Sequence, residues 1–282
     1  MRMSSLSHTK KVYAITKVDK AREFIYKWGN TVDGSKVENA LGEGSWVPTI
    51  NQFAKKLGPL GLDPFRMLVV DLMHECELGT WKALFTHLVR LLYALPRGSQ
   101  LVAALDNRFR QVPTFARDFE DILQCSIPVF EGLFPTDHDA IMQTLLYRFA
   151  QWHALAKLRI HTESTVTFLD ETFKKLCQNL RKFQCDTCAA FNTIELPKEK
   201  AARQRRLAQH SESSAASPEK IGPRVKKFNL GTYKFHAMGD YVRTIKIFGT
   251  TDSFTTQMVC ACFIYNIHLV LSLARESLHT EL

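Results

Sequence analysis

The chain has 282 residues, 45% of them hydrophobic and 11% aromatic, which is enough for one large or two ordinary cores and excludes a wholly disordered protein. A net charge of +9 with a pI of about 9.2 favours polyanionic partners, nucleic acid before membrane. Seven cysteines at irregular spacing argue against a disulfide scaffold and for a reducing compartment.

The first residues lack the apolar h-region of a secretory signal, and the longest apolar run, Val259 to Leu271, is broken by Asn266 and His268. These features predict a soluble intracellular protein, nuclear or cytoplasmic, without a membrane partner. Residues 1–20 are expected to be disordered.

In chain order, Ala21, Phe24, Ile25 and Trp28 predict a helix over Asp19 to Trp28, stopped by Gly29. Ser35 and Glu38 have capping-box spacing and open a second helix that ends at Gly42. A third starts near Pro48, turns Ile50, Phe53, Ala54 and Leu57 inward, and stops at Gly58.

Met67 to Val70 is a bounded apolar run rich in branched residues, the pattern of a buried strand, and Asp71 would close it. From Trp81 onward Leu84, Phe85, Leu88, Leu91 and Leu92 recur at helical spacing, which predicts a core helix with one wet side.

A carboxylate at a strand end, beside His74, Glu75 and Glu77, suits Mg²⁺-assisted phosphoryl chemistry, because that cation takes hard oxygen ligands. The competing reading is that Asp71 caps the helix that follows. A zinc-protease site is excluded, since Leu78 stands where HExxH requires its second His.

Beyond a turn at Pro96 to Gln100, residues 96–197 read as helical. Arg108, Arg110 and Arg117 lie close enough in sequence to touch phosphates together, or else form a solvated face. Asp118 to Phe134 is helical as far as Pro128. Ile141, Leu145, Phe149, Trp152 and Ala156 make one apolar stripe, and Leu169, Phe173, Leu176, Leu180 and Phe183 make another, with Thr167 and Asp170 as its N-terminal cap.

The spacing of those aromatics places them in a core rather than on a base-stacking platform. His138, His153 and His161 fall on different turns and have no evident shared role. Cys185 and Cys188 form a CxxC, but a zinc site needs a second well-spaced half. The only other closely spaced cysteines, Cys260 and Cys262, are far away in sequence, so the pair alone does not predict zinc.

Residues 198–227 are basic and rich in Ser and Ala, with little to bury, and are expected to form a flexible linker. Arg203, Arg205 and Arg206, in the stretch KEKAARQRR, are candidate nucleic-acid or nuclear-import residues. Order resumes over 228–257, where Tyr241, Val242, Ile245 and Ile247 mark a packed element and Gly249 to Ser253 a turn.

Four blocks are recognisable together: EGSWVP at Glu43–Pro48, VVDLMHECELGTWKALFTHLVRLLYAL at Val69–Leu95, VAALDNRFRQVPTF at Val102–Phe115 and KFHAMGDYVRTIKIFGTTDSFTTQ at Lys234–Gln257. The chain resembles the Plavaka-type transposases, basidiomycete fungal members of the CACTA group of cut-and-paste DNA transposons, from about Ala21 to Gln257.

The resemblance implies a mainly α (α+β) fold: a remnant of an RNase H-like catalytic core with a large helical insertion. It implies a site of Asp, Asp and Glu that holds Mg²⁺ and cleaves and joins DNA strands, with Asp71 similar to the second acid. In these terms residues 21–95 carry helices and the core strand, 96–197 the insertion, 198–227 the linker and 228–257 the return to the core.

The first acid has no counterpart in residues 1–20, and a helical stretch of the family is missing between Arg117 and Asp118. After Met258 the family's GELxHR-type sequence, expected to bear the last acid, gives way to a divergent tail. Residues 258–282 read as translated intron or frameshifted sequence, since Val259-Cys260 can be encoded by a fungal intron donor, and Glu276 is not promoted to a ligand. The expectation is a transposase fragment that does not cut DNA by itself; the alternative is a non-enzymatic DNA-binding or protein-interaction module.

Overall fold

A computed structural model describes residues 8–42, 47–50, 52–61, 69–112, 119–211 and 222–256. The readings on Met67, Leu68, Arg117, Gln257, the cysteines Cys260 and Cys262, Glu276 and the rest of the tail lie outside those residues. The described chain is mainly helical and separates into two units, residues 1–69 and 70–282. Among the described residues the only β pairing is one antiparallel bridge, Ile194 to Val225.

In the first unit, α1 covers His8–Tyr26, α2 Ser35–Leu41 and α3 Gln52–Leu57. α1 starts well before Asp19, because the preceding run contains neither Gly nor Pro to stop it. Ala21 of α1 packs against Val37 and Leu41 of α2, and Arg22 donates to the carbonyl of Pro48 at 3.0 Å. This core is small. Phe53, expected to face inward, is exposed, as is Trp28, and the residue at the N-terminus of α2 is Gly34, with no side-chain capping bond.

The second unit opens on a wide-turned π-helical segment, Leu72–Trp81, that runs directly into α4, Lys82–Ala94. π turns are uncommon and concentrate at functional sites. Val69 to Asp71 ahead of it are unpaired among the described residues, with Asp71 extended at φ −88° and ψ 124°, so the expected buried strand is not found there.

α5 covers Gly98–Arg110, α6 Phe119–Phe130, α7 Thr136–Ala156 and α8 Glu163–Lys182. The α4–α5 turn is tight: a Cβ on Gly98 would lie 2.6 Å from the carbonyl oxygens of Leu92 and Tyr93, so only glycine lets α5 start there. α6 runs through Pro128 near its end, on the helix's exposed side.

α7 and α8 pack along each other, and α8 begins earlier than its sequence suggested. Thr162 and Thr165 form its capping box, which leaves Thr167 inside the helix, bonded to the Glu163 carbonyl at 2.8 Å.

The predicted inward faces meet in one core. Trp81 lies 5.7 Å from Phe85 and 5.6 Å from Phe149, and Phe85 also meets Phe109 and Phe130. Leu84, Leu88, Leu91, Leu145, Phe149, Leu169 and Leu176 are fully buried. Each such side chain contributes about 1.5–3 kcal/mol relative to exposure.

A second π turn, Phe183–Cys188, follows α8. α9 then covers Pro197–Ser211, where a flexible linker was expected. Composition missed it because charge pairing, and not apolar burial, secures its start. Glu199 pairs with Arg90 of α4 at 2.6 Å and accepts from the Leu196 N–H, while Arg203 pairs with the buried Glu195 at 2.6 Å. Its Ala, Arg, Lys and Gln residues are strong helix formers.

The chain returns through α10, Tyr233–Ala237, and α11, Tyr241–Phe248. No described helix is long and apolar enough to cross a membrane.

Candidate site at Asp71

Asp71 sits where extended backbone gives way to the first π turn, and it is 8% exposed. Its own N–H donates to Glu75 at 2.8 Å, so it is Glu75 that caps the turn; the Asp71 side chain makes no capping bond. This disposes of the helix-cap reading and frees the Asp71 carboxylate to face residues far along the chain.

Those residues are Thr255 and Thr256. The Thr255 hydroxyl and the Thr256 N–H donate to Asp71 Oδ1 at 3.1 and 3.3 Å, while the Thr256 hydroxyl and His74 Nδ1 both reach Oδ2. The tether that brings them there is the Gly249–Ser253 turn: Thr251 is buried and donates to the carbonyl of Ala156, the last residue of α7, at 2.8 Å. A neighbouring tie comes from α10, where Lys234 donates to the His74 carbonyl at 2.9 Å. Its stem crosses Gly79 so closely that a Cβ there would lie 2.5 Å from Lys234 Cδ.

Burial by itself would raise the Asp71 pKa, but the hydrogen bonds from Thr256, His74 and Thr255 outweigh it and hold the carboxyl below its ordinary 3.8. Asp71 is therefore an ionised acceptor at neutral pH. A carboxylate has about four lone-pair positions, and four donors already address this one.

As arranged, it does not present an open oxygen to Mg²⁺, and no three His, Cys, Asp or Glu side chains among the described residues converge on a metal position. The Asp71, His74 and Thr256 set is also not a nucleophilic triad. His74 uses the same nitrogen, Nδ1, toward Asp71 and toward Thr256 at 2.8 Å, so it cannot relay a proton between an acid and a hydroxyl through opposite ring atoms.

Two buried features behind Asp71 were not legible in the sequence. Glu77 and His153 are 4% and 3% exposed and meet at 2.9 Å, which gives His153 a structural partner in place of the incidental position expected for it. Tyr241 stands edge-on to Trp152 at 5.0 Å with its hydroxyl buried and unbonded. Burial, and behind it the neighbouring acidic groups of Cys76, Glu75, Asp71 and Glu77, pushes its pKa far above 10, so the phenol keeps its proton.

The candidate DNA-binding arginines are dispersed. Arg108 donates to the carbonyls of Val129 and Glu131 at 3.0 and 2.6 Å, closing the end of α6, and Arg110 pairs with Asp106 at 2.8 Å. Arg203 is held by Glu195, while Arg205 and Arg206 are exposed on α9. Arg117 lies outside the described residues.

At the CxxC, Cys185 is exposed, and burial followed by Cys185 pushes the Cys188 thiol up to about 12. His138 contacts Thr187 in the same turn at 3.3 Å and stands 4.9 Å from Phe191. Comparison with protein-family models, curated proteins and solved structures returns no match to this chain.

Proposed function

We propose that the chain is a transposase-derived helical module whose ancestor cut and joined DNA with Mg²⁺, and that Asp71, the counterpart of one ancestral metal-binding acid, now serves as a structural acceptor. In this reading the unit from Asp71 onward descends from an RNase H-like core and its helical insertion, and the present chain binds DNA without cutting it.

The observation that supports the reading is the pairing of Asp71 with Thr255 and Thr256. The two most specific resembling blocks, Val69–Leu95 and Lys234–Gln257, meet at the acid that the resemblance singles out, across a sequence separation of 184 residues at Thr255. Such convergence is expected if both blocks once framed one active centre. The engagement of both carboxylate oxygens supports an inactive present state.

The test has two arms. Incubation of the chain with supercoiled DNA and Mg²⁺ is expected to leave the DNA intact; nicking that Asp71→Asn abolishes would overturn the inactive state. Titration of labelled duplex DNA at rising salt is expected to show binding that weakens steeply as counterions compete, carried in part by Arg205 and Arg206. Absence of salt-sensitive binding would remove DNA as the partner.

A further inference from the structure

A pocket of about 440 Å³ opens between the first π turn, α4, the start of α9 and residues 227–235, within the size range of about 300–1,000 Å³ typical of small-molecule sites. Neither the sequence motifs nor the Asp71 site accounts for it. Its wall carries Lys82, Lys227 and Lys234, together with Arg90 and, as the only acid among the described lining residues, Glu199. Arg90 and Glu199 satisfy each other at 2.6 Å, so the three lysines meet no carboxylate in the pocket.

Two of them are held in place by contacts that leave ammonium protons free. Lys82 Nζ stands 5.2 Å from the centroid of the Phe119 ring, and Lys234 spends one donor on the His74 carbonyl at 2.9 Å. An ammonium has three donors.

The same wall is aromatic. Phe235 meets Phe228 edge to face at 5.6 Å, and Phe228 in turn lies 5.1 Å from His87. His87 is 1% exposed and has neither ring nitrogen bonded, although it forms part of the pocket wall. Burial, then the charge of Arg90, lowers its pKa to about 4, so at neutral pH it is an uncharged ring with one donor and one acceptor unspent. Unbonded buried polar groups in native proteins are uncommon and call for a partner.

Three ammonium groups that meet no carboxylate in the pocket exclude an apolar ligand and a metal cation, and the Phe228 and Phe235 rings in the same wall ask for more than a bare anion. We propose that this pocket binds a nucleotide, with its phosphate on Lys82, Lys227 and Lys234 and its base against Phe235, beside His87. The nucleotide is either free or part of a single strand, for the phosphate and base chemistry is common to both. The site uses none of the Asp71 carboxylate contacts and does not depend on transposase ancestry.

Calorimetric titration of the full chain with AMP, inorganic phosphate and an oligothymidine separates these cases. Binding of AMP that is about tenfold or more weaker in Lys82→Glu/Lys227→Glu supports a free nucleotide. Binding of the oligothymidine alone, weakened in the same way, supports a strand. Both lysines are exposed, so the double variant is expected to keep the thermal melting curve of the parent, and Asp71→Asn is expected to bind as the parent does.

Phe235→Leu keeps an apolar side chain but removes the aromatic face, and is expected to weaken nucleotide binding about fivefold while leaving phosphate binding unchanged. Binding to neither nucleotide probe, binding unaffected by the charge reversal in a folded protein, or inorganic phosphate binding as tightly as AMP would each overturn the proposal.

Discussion

The carboxylate of Asp71 accepts hydrogen bonds from both the backbone N–H and the hydroxyl of Thr256, a residue 185 positions further along the chain. An amide in place of the carboxylate has only one acceptor oxygen and turns a donor toward other donors. Asp71→Asn is therefore expected to destabilise the second unit by about 2 kcal/mol, measured by urea unfolding.

The sign of its pH dependence follows from the depressed folded-state pKa. The parent's advantage over the variant is fully present above the ordinary pKa of 3.8 and is lost as pH falls through the lower folded value. An advantage that grows toward acid would contradict this account.

Glu77 and His153 present a different situation, since both are buried and each is the other's hydrogen-bonded partner. Glu77→Ala leaves the His153 nitrogen unsatisfied and opens a void, so a loss of about 3 kcal/mol is expected. Replacing both, Glu77→Leu with His153→Phe, is expected to cost less than the sum of the two single changes. A double-mutant cycle showing simple additivity would mean that the two side chains are not coupled.

His87 costs stability in the absence of a ligand, because neither nitrogen has a partner. His87→Phe is expected to stabilise the chain by about 1 kcal/mol in chemical denaturation at neutral pH. The folded pKa of about 4 lies below the ordinary 6.5, so the parent chain is at its most stable with respect to this group above 6.5, where the ring is neutral in both states, and loses further stability as pH falls toward 4. The gap in favour of the phenylalanine variant should widen across that window. A constant gap would show that the ring is not buried as an uncharged group.

At α9 the expectation concerns acid and the amide hydrogens. The hydrogen bond from Arg203, followed by the opposing cost of burial and the Arg224 N–H, holds Glu195 down to about 2, and Arg90 with the Leu196 N–H lowers Glu199 against its own burial. Both ties are therefore intact above the ordinary glutamate pKa of 4.5; the Glu195 tie fails as pH falls toward 2, and the Glu199 tie weakens as pH falls below its ordinary value. Protection of the amide hydrogens across Pro197–Ser211, measured against their intrinsic exchange rates at each pH, should fall in that range, and should be lower at neutral pH in the Glu195→Gln/Glu199→Gln variant. Equal protection in variant and parent would leave α9 held by something other than these pairs.

The inward faces of α4, α7 and α8 were legible in the sequence. Leu84, Leu88, Leu91, Leu145, Phe149, Trp152, Leu169 and Leu176 lie where helical spacing puts them, since a repeat of three and four residues is a local property that any apolar environment reads in the same way. Asp71 stood out for a similar reason, as an acid closing an apolar run.

Its partners did not stand out, because Thr255 and Thr256 belong to a stretch rich in hydroxyls where no spacing marks them. The Glu77–His153 contact spans 76 residues, and the basic pocket gathers Lys82 with Lys227 and Lys234 from opposite ends of the second unit. α9 shows the same limit: composition denies it a core, and the acids that anchor it find Arg90 and Arg203 only once the chain has folded back. The sequence by itself determined which faces had to leave water, through local periodicity. The tertiary structure alone decided which charges and hydroxyls would meet, because hydrogen bonds act over a few ångströms and which groups come within that reach depends on the packing of distant segments.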